Sequence, residues 1–113
     1  MNRIIKFRAW DKEMKKMFEI MELHWIGRKF EVAGCELMQF TGLLDKNGKE
    51  IYEGDILLSP FKNHYLVEWD KEAVRFAFIG YGKILVKGHY PVWQFIKAYE
   101  VIGNIYENPE LLK

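Results

Sequence analysis

The chain has 113 residues, half of them hydrophobic and 16% aromatic, and its 17 Lys/Arg nearly balance 16 Asp/Glu for a net charge of +1. That content excludes intrinsic disorder, and the total charge points to no strong polyanion affinity. No apolar run approaches the roughly 18–20 residues of a membrane-spanning helix, so no membrane partner is expected. The length suits one domain over residues 1–113. The N-terminus alternates from Met1 to Lys6 instead of forming a signal-peptide core, and Cys35, the single cysteine, points to a reducing cytoplasm. Residues 1–30 carry eight Lys/Arg and four Asp/Glu, residues 31–113 nine and twelve. Solvated strand faces explain that asymmetry more simply than a partner does.

The opening segment to Trp10 alternates Ile5, Phe7 and Ala9 with Lys6 and Arg8, the period of a half-buried strand. Asp11-Lys12-Glu13 is a polar break. From Met14 to Trp25 the spacing of Met14, Met17, Phe18, Met21 and Trp25 fits a helix, although Met17, Met21, Leu23 and Trp25 also fit a strand. Gly27-Arg28-Lys29 reads as a turn, Lys29 to Val32 as a strand, and Ala33-Gly34-Cys35 as a break. A longer strand then runs into Asp45-Lys46-Asn47-Gly48, where Asn47 and Gly48 both tolerate positive φ and give a strong hairpin signal. In the return strand, Gly54 marks a bend that Asp55 braces by accepting backbone N–H groups. Ser59-Pro60 ends the following strand.

Alternation resumes at Tyr65, Val67 and Trp69 and, after a turn at Asp70-Lys71-Glu72, at Val74, Phe76 and Phe78. Gly80-Tyr81-Gly82 reads as loop and Ile84 to Val86 as a short strand. Tyr90 to Ala98 has no clean period. Tyr99 to Tyr106 is a closing strand with a candidate bulge at Gly103, and Asn108-Pro109-Glu110 starts a helical turn with Asn108 as its cap. No internal repeat or linker stands out.

Phe7-Arg8-Ala9-Trp10-Asp11, the run from Leu37 to Leu43, the run from Asp45 to Ile56, and the run from Val101 to Leu112 together resemble the YopX family. These are small proteins of bacteriophages and prophages of Gram-positive bacteria. The resemblance covers both ends and the central hairpin; between Phe61 and Ala98 it is confined to Val67-Glu68-Trp69. It implies an all-β fold, a small curved sheet or SH3-like barrel of short antiparallel strands with a short C-terminal helical turn. It therefore favours a strand over Met14 to Trp25, against the helical spacing, and that is the expectation adopted. It implies no activity.

Catalytic chemistry finds little material. Ser59 and Thr41 are the only hydroxyl residues of their types and sit in no nucleophile pattern. Cys35 lacks a visible means of lowering its pKa. His24, His64 and His89 have no metal-ligand spacing, so neither a metal nor a cofactor is expected. The acid pairs Glu53/Asp55 and Glu68/Asp70 are two residues apart, but turn bracing and a wet strand face explain them better than an enzyme does.

What remains is aromatic: four Trp, six Tyr and eight Phe. Most should fill the core, yet aromatic residues with Arg also build interfaces. The leading expectation is a non-catalytic protein-interaction module of phage origin, cytoplasmic in the bacterial host. Its partner is an unknown protein or a second copy, contacted through Lys6, Arg8, Trp10, Lys15, Lys16, Trp25 and Trp69. Asn47, Gly48, Gly54 and Asp55 are its structural turns. The alternatives are nucleic-acid binding by the basic N-terminal third with exposed aromatics, and an enzyme that uses the paired carboxylates.

Overall fold

A computed structural model of the chain describes residues 6–20, 25–26, 29–30, 35–81, 89–91 and 96–112. The described strands are β1 Phe7–Asp11, β2 Lys16–Ile20, β3 Trp25–Ile26, β4 Lys29–Phe30, β5 Cys35–Leu44, β6 Glu50–Tyr52, β7 Asp55–Leu58, β8 His64–Asp70, β9 Arg75–Tyr81, β10 His89–Pro91 and β11 Glu100–Asn104. Single 3-10 turns lie at Ile96–Ala98 and Pro109–Leu112. The fold is mainly β, as expected, in two antiparallel sheets, one curled into a half-barrel. The first sheet has the order β2-β1-β5-β6, the second β10-β9-β8-β7-β11, and among the described residues β3 pairs with β4.

The two sheets meet at Glu53-Gly54. The Glu53 N–H still donates to Gln39 O in the first sheet, at 2.9 Å. One residue later, the Gly54 N–H donates to Val67 O at 2.8 Å and Gly54 O accepts from Ile105 N–H at 3.0 Å, both in the second. Gly54 makes this change at φ 87°, where a side chain would be strained, and a Cβ there would lie 3.1 Å from the Met38 sulfur. Asp55 braces the corner as expected by accepting the Tyr52 N–H at 2.8 Å. It also does what sequence spacing could not show. Its other oxygen takes the Arg8 guanidinium at 2.6 Å, with the Arg8 and Asp55 side chains only 11% and 1% exposed. Arg8 stacks over the Tyr52 ring at 4.7 Å. Strand β1 of the first sheet is thereby bolted to the first residue of β7 in the second.

The core gathers Ile51, Leu57, Val67, Phe78 and Ile96, with Tyr65, Tyr99 and Val101 packed against it. Burying each large aliphatic side chain contributes about 1.5–3 kcal/mol. Leu66 and Val67 are both buried, as are Ile56 and Leu57, so the simple alternation of β7 and β8 fails at mid-sheet. Both faces are covered there.

Five loops share one device: a short polar side chain accepts backbone N–H groups of its own turn. Asp11 takes Glu13 and Met14, Ser59 takes Phe61 and Asn63, Asp70 takes Glu72 and Ala73, and Asn104 takes Tyr106 and Glu107. In the central hairpin the brace is Asp45. It accepts from Asn47 and Lys49 with one oxygen and from Val101, across the molecule, with the other. The hairpin exists where expected, but Gly48 alone enters positive φ; Asn47 does not.

Other expectations are corrected. Over Met14 to Trp25 the adopted strand reading holds for Lys16–Ile20, which pairs residue for residue with β1, while Met14 and Lys15 belong to the turn before it. Residues 21–24 lie outside the described residues. Gly80 and Tyr81, expected as loop, continue β9, with Gly80 opposite Tyr65. The strand expected at Ile84 to Val86 lies outside the described residues. A repeat also emerges that composition had hidden. Trp10-Asp11-Lys12-Glu13 and Trp69-Asp70-Lys71-Glu72 open matching hairpins, closed by the pairs Asp11↔Lys16 and Asp70↔Arg75. The fourth loop residue is at positive φ in both, 54° at Lys15 and 55° at Val74. At the C-terminus, the bulge falls between Val101 and Gly103 as read. Asn108, however, turns its amide oxygen back to the Asn104 N–H, into the space a Cβ on Gly103 would fill at 2.5 Å.

Two stability measurements follow from these contacts. Arg8→Ala leaves a buried carboxylate without its cation and should lower the unfolding free energy in urea by about 3–5 kcal/mol. A loss under about 1 kcal/mol, the worth of a surface pair, would contradict the bolt. For Asp45, burial raises the carboxyl pKa, but the N–H groups of Val101, Lys49 and Asn47 outweigh it and the group ends below the ordinary carboxylate range. A folded pKa below the unfolded value of about 3.9 stabilises the fold fully above that value and is lost as pH falls through the folded one. The stability gap between wild type and Asp45→Asn should therefore be constant near neutrality and shrink below about pH 4. A gap that widens in acid would refute the assignment.

Candidate functional site

The change of sheet at Gly54 creates a cleft. Because the Gly54 N–H holds Val67 O, the flanking residues Glu53 and Glu68 are brought to one place from different sheets. They line a cleft of 270 Å³ with Glu36, Met38, Trp69 and Tyr106. Trp69 is 43% exposed and meets Phe76 edge-on, with ring centroids 5.0 Å apart. Tyr106 is backed by Trp10, stacked on it at 5.7 Å and 16°. The cleft lining thus includes a partly exposed indole in contact with Phe76 and a phenol stacked on Trp10.

The cleft is electrically negative. Glu36 pairs at the rim with Lys12 at 2.6 Å, whereas Glu53 and Glu68 have no salt bridge among the described residues. Burial pushes the Glu53 carboxyl up, the Gln39 N–H at 3.4 Å pulls it down, and Glu68 pushes it up again, leaving it above the usual carboxylate range. Burial also raises the Tyr106 phenol, and Glu36 and Glu53 add to the effect. A second hollow, also of 270 Å³, lies over the first sheet between Arg8, Phe18, Glu19, Glu50 and Tyr52. There Arg8 is bonded to Asp55 and Glu50 to Lys6, so less charge is left for a ligand.

The residues expected to form one interaction surface are scattered. Trp10 is buried, at 9% exposure, and Arg8 is largely covered, its side chain 11% exposed and bonded across to Asp55. Lys6 is paired with Glu50 and lies over the Phe40 ring at 5.4 Å. Lys15 and Lys16 are exposed on the β1–β2 hairpin. Trp25 lies in β3, and its side chain is outside the described residues. Among the described residues of that set, only Trp69 lines the cleft. Nor do the acid pairs read from i, i+2 spacing assemble. Asp55 points to Arg8 and Asp70 braces its own turn, while Glu53 and Glu68 line the same cleft. Glu36 and Tyr106 were missed, because cleft residues drawn from separate strands leave no periodic signal.

The remaining candidates are structural. Burial, with Asp11 adding to it, raises the Cys35 thiol, opposite to what a nucleophile needs. Ser59 is a loop brace. His64 Nδ1 lies 2.7 Å from Leu111 O and ties the C-terminal turn to β8. His24 and the His89 side chain lie outside the described residues. Among the described residues no group of three His, Cys, Asp or Glu could hold a metal ion, and no helix is long and apolar enough to cross a membrane.

The charge coupling in the cleft is directly measurable. With its folded pKa raised, Glu53 binds more protons folded than unfolded, so its ionisation costs stability as pH rises between the two values. Replacing Glu68 by Gln removes the nearby charge and should lower the Glu53 pKa in a carbon-detected NMR titration. An unchanged pKa would show that the two carboxylates do not share a site.

Comparison with known proteins agrees with this architecture. The family model described as YopX protein matches residues 25–113. The crystal structure of protein EF1440 from Enterococcus faecalis is similar at a TM-score of 0.67 and 30% identity, covering 99% of this chain and 100% of that one. No curated protein matches. Neither matching name states an activity. With most of its length matched by the family model and a relative aligned end to end, the chain belongs to the YopX family.

Proposed function

We propose that the chain is a non-catalytic protein-interaction module that docks a partner in the cleft between its sheets. The observation that carries this reading is Trp69: a large ring at a concave site, 43% exposed, beside two carboxylates without a salt bridge among the described residues. Exposed Trp and Tyr at a concave site are the usual anchors of binding energy. Phage origin and action in the host cytoplasm are part of the proposal, supported by the family's distribution and by the single cysteine.

Nucleic-acid binding has less support. Of the basic residues expected to contact phosphate, Lys6 and Arg8 are already paired with Glu50 and Asp55, which leaves Lys15 and Lys16 exposed on the β1–β2 hairpin. The cleft itself would repel phosphate.

Affinity capture of the tagged chain from lysate of phage-infected or prophage-induced cells tests the reading, with and without nuclease and with Trp69→Ala in parallel. A stoichiometric protein that survives nuclease and is reduced about tenfold or more by Trp69→Ala is expected, the scale of an anchor residue. Self-association lost in the same variant would make the partner a second copy. Material that disappears with nuclease, or binding indifferent to Trp69, would overturn the proposal.

A further inference from the structure

Resting on the reading of the cleft as a docking site, we propose that its occupant is a basic segment of the partner whose arginine side chain enters between Trp69 and Tyr106. Three independent features specify that chemistry. The walls are aromatic, and the faces of Trp and Tyr attract guanidinium and ammonium groups. The lining also carries Glu53 and Glu68, which form no salt bridge among the described residues. The volume of 270 Å³ is below the roughly 300–1,000 Å³ typical of small-molecule pockets, so it suits one long side chain better than a whole cofactor.

The chain uses this chemistry elsewhere. Arg8 is held by a carboxylate at 2.6 Å and an aromatic ring at 4.7 Å, with Asp55 and Tyr52 as the partners. In the cleft the same types of partner stand without the guanidinium. Arginine is preferred to lysine because its planar fork both stacks on a ring and bonds a carboxylate through two N–H groups. The alternatives fit poorly: a phosphate would face like charge, and the described carboxylates form no metal-holding group.

The test is an NMR titration of the intact chain with a short Gly/Ser peptide carrying one central arginine. The controls are the citrulline version, which is neutral and nearly isosteric, and a glutamate version. The expected result is saturable shifts of the Trp69 indole N–H and the Gly54 amide. Binding of the citrulline peptide should be weaker by about tenfold or more, the loss of a charge-assisted bond. The double variant Glu53→Gln, Glu68→Gln should lose the response while keeping a dispersed, folded spectrum. No shift at millimolar arginine peptide, equal response to citrulline, or shifts confined to other surfaces would overturn the inference. Its failure is separable from that of the docking proposal. A captured protein that needs Trp69 but ignores the Glu-to-Gln changes leaves docking intact and removes the arginine. An arginine response without any captured protein does the reverse.

Discussion

Arg8 and Asp55 hold the molecule at its weakest geometric point. A chain that leaves one sheet and enters another within two residues must bend sharply, and the bend at Gly54 exposes polar backbone to the interior. Asp55 satisfies the Tyr52 N–H, and the Arg8 guanidinium answers the Asp55 carboxylate. Burial raises the Asp55 carboxyl pKa while Arg8 and the Tyr52 N–H oppose that shift, so desolvation and pairing act against each other here. A buried pair of this kind contributes less net stability than its short distance suggests, because both ions have left water. Its value is directional. A hydrophobic replacement would fill the space without specifying which residue of β1 meets which residue of β7.

Around that joint the loops are self-bracing. Asp11, Asp45, Ser59, Asp70 and Asn104 each take up N–H groups that no strand ladder can reach. All five brace their own turns. Asp45 differs because its second oxygen receives Val101 of β11, and Lys46 N–H donates to Tyr99 O, so the central hairpin tip covers the outer edge of the second sheet. An unpaired edge strand is an invitation to aggregate, and this contact closes part of one. The matched hairpins at Trp10 and Trp69 then diverge in use. Trp10 is buried and stacked on Tyr106, whereas Trp69 touches Phe76 and stays 43% exposed.

The functional proposal follows from the same joint. Because Gly54 bonds Val67, the residues on either side of those two positions converge, and a cleft between sheets acquires two carboxylates that would otherwise be distant. Trp69 is the next residue along β8, and Tyr106 follows Ile105, whose N–H is held by Gly54 O. Glu53, Glu68, Trp69 and Tyr106 are therefore each within two residues of a partner in a hydrogen bond of the corner glycine. Structure and site have a common cause.

Local features were legible in the amino-acid sequence alone: the existence of strands at Phe7, Tyr65 and Phe76, though not their inward and outward faces, the turns at Asp45 to Gly48 and at Asp70, the bend at Gly54 and the bulge at Gly103. Each depends on neighbours in the chain, through period-2 side-chain direction or a glycine's freedom in φ. The family, too, could be read from contiguous motifs. The segment from Met14 was ambiguous because its apolar spacing satisfied both periods, and only pairing with β1 resolved it into β2. Tertiary structure alone decided which charged groups meet: Arg8 with Asp55, and Glu53 with Glu68 in place of its neighbour two residues away. That choice depends on the register between sheets and on where the chain crosses from one to the other, quantities set by packing in three dimensions that no local spacing encodes.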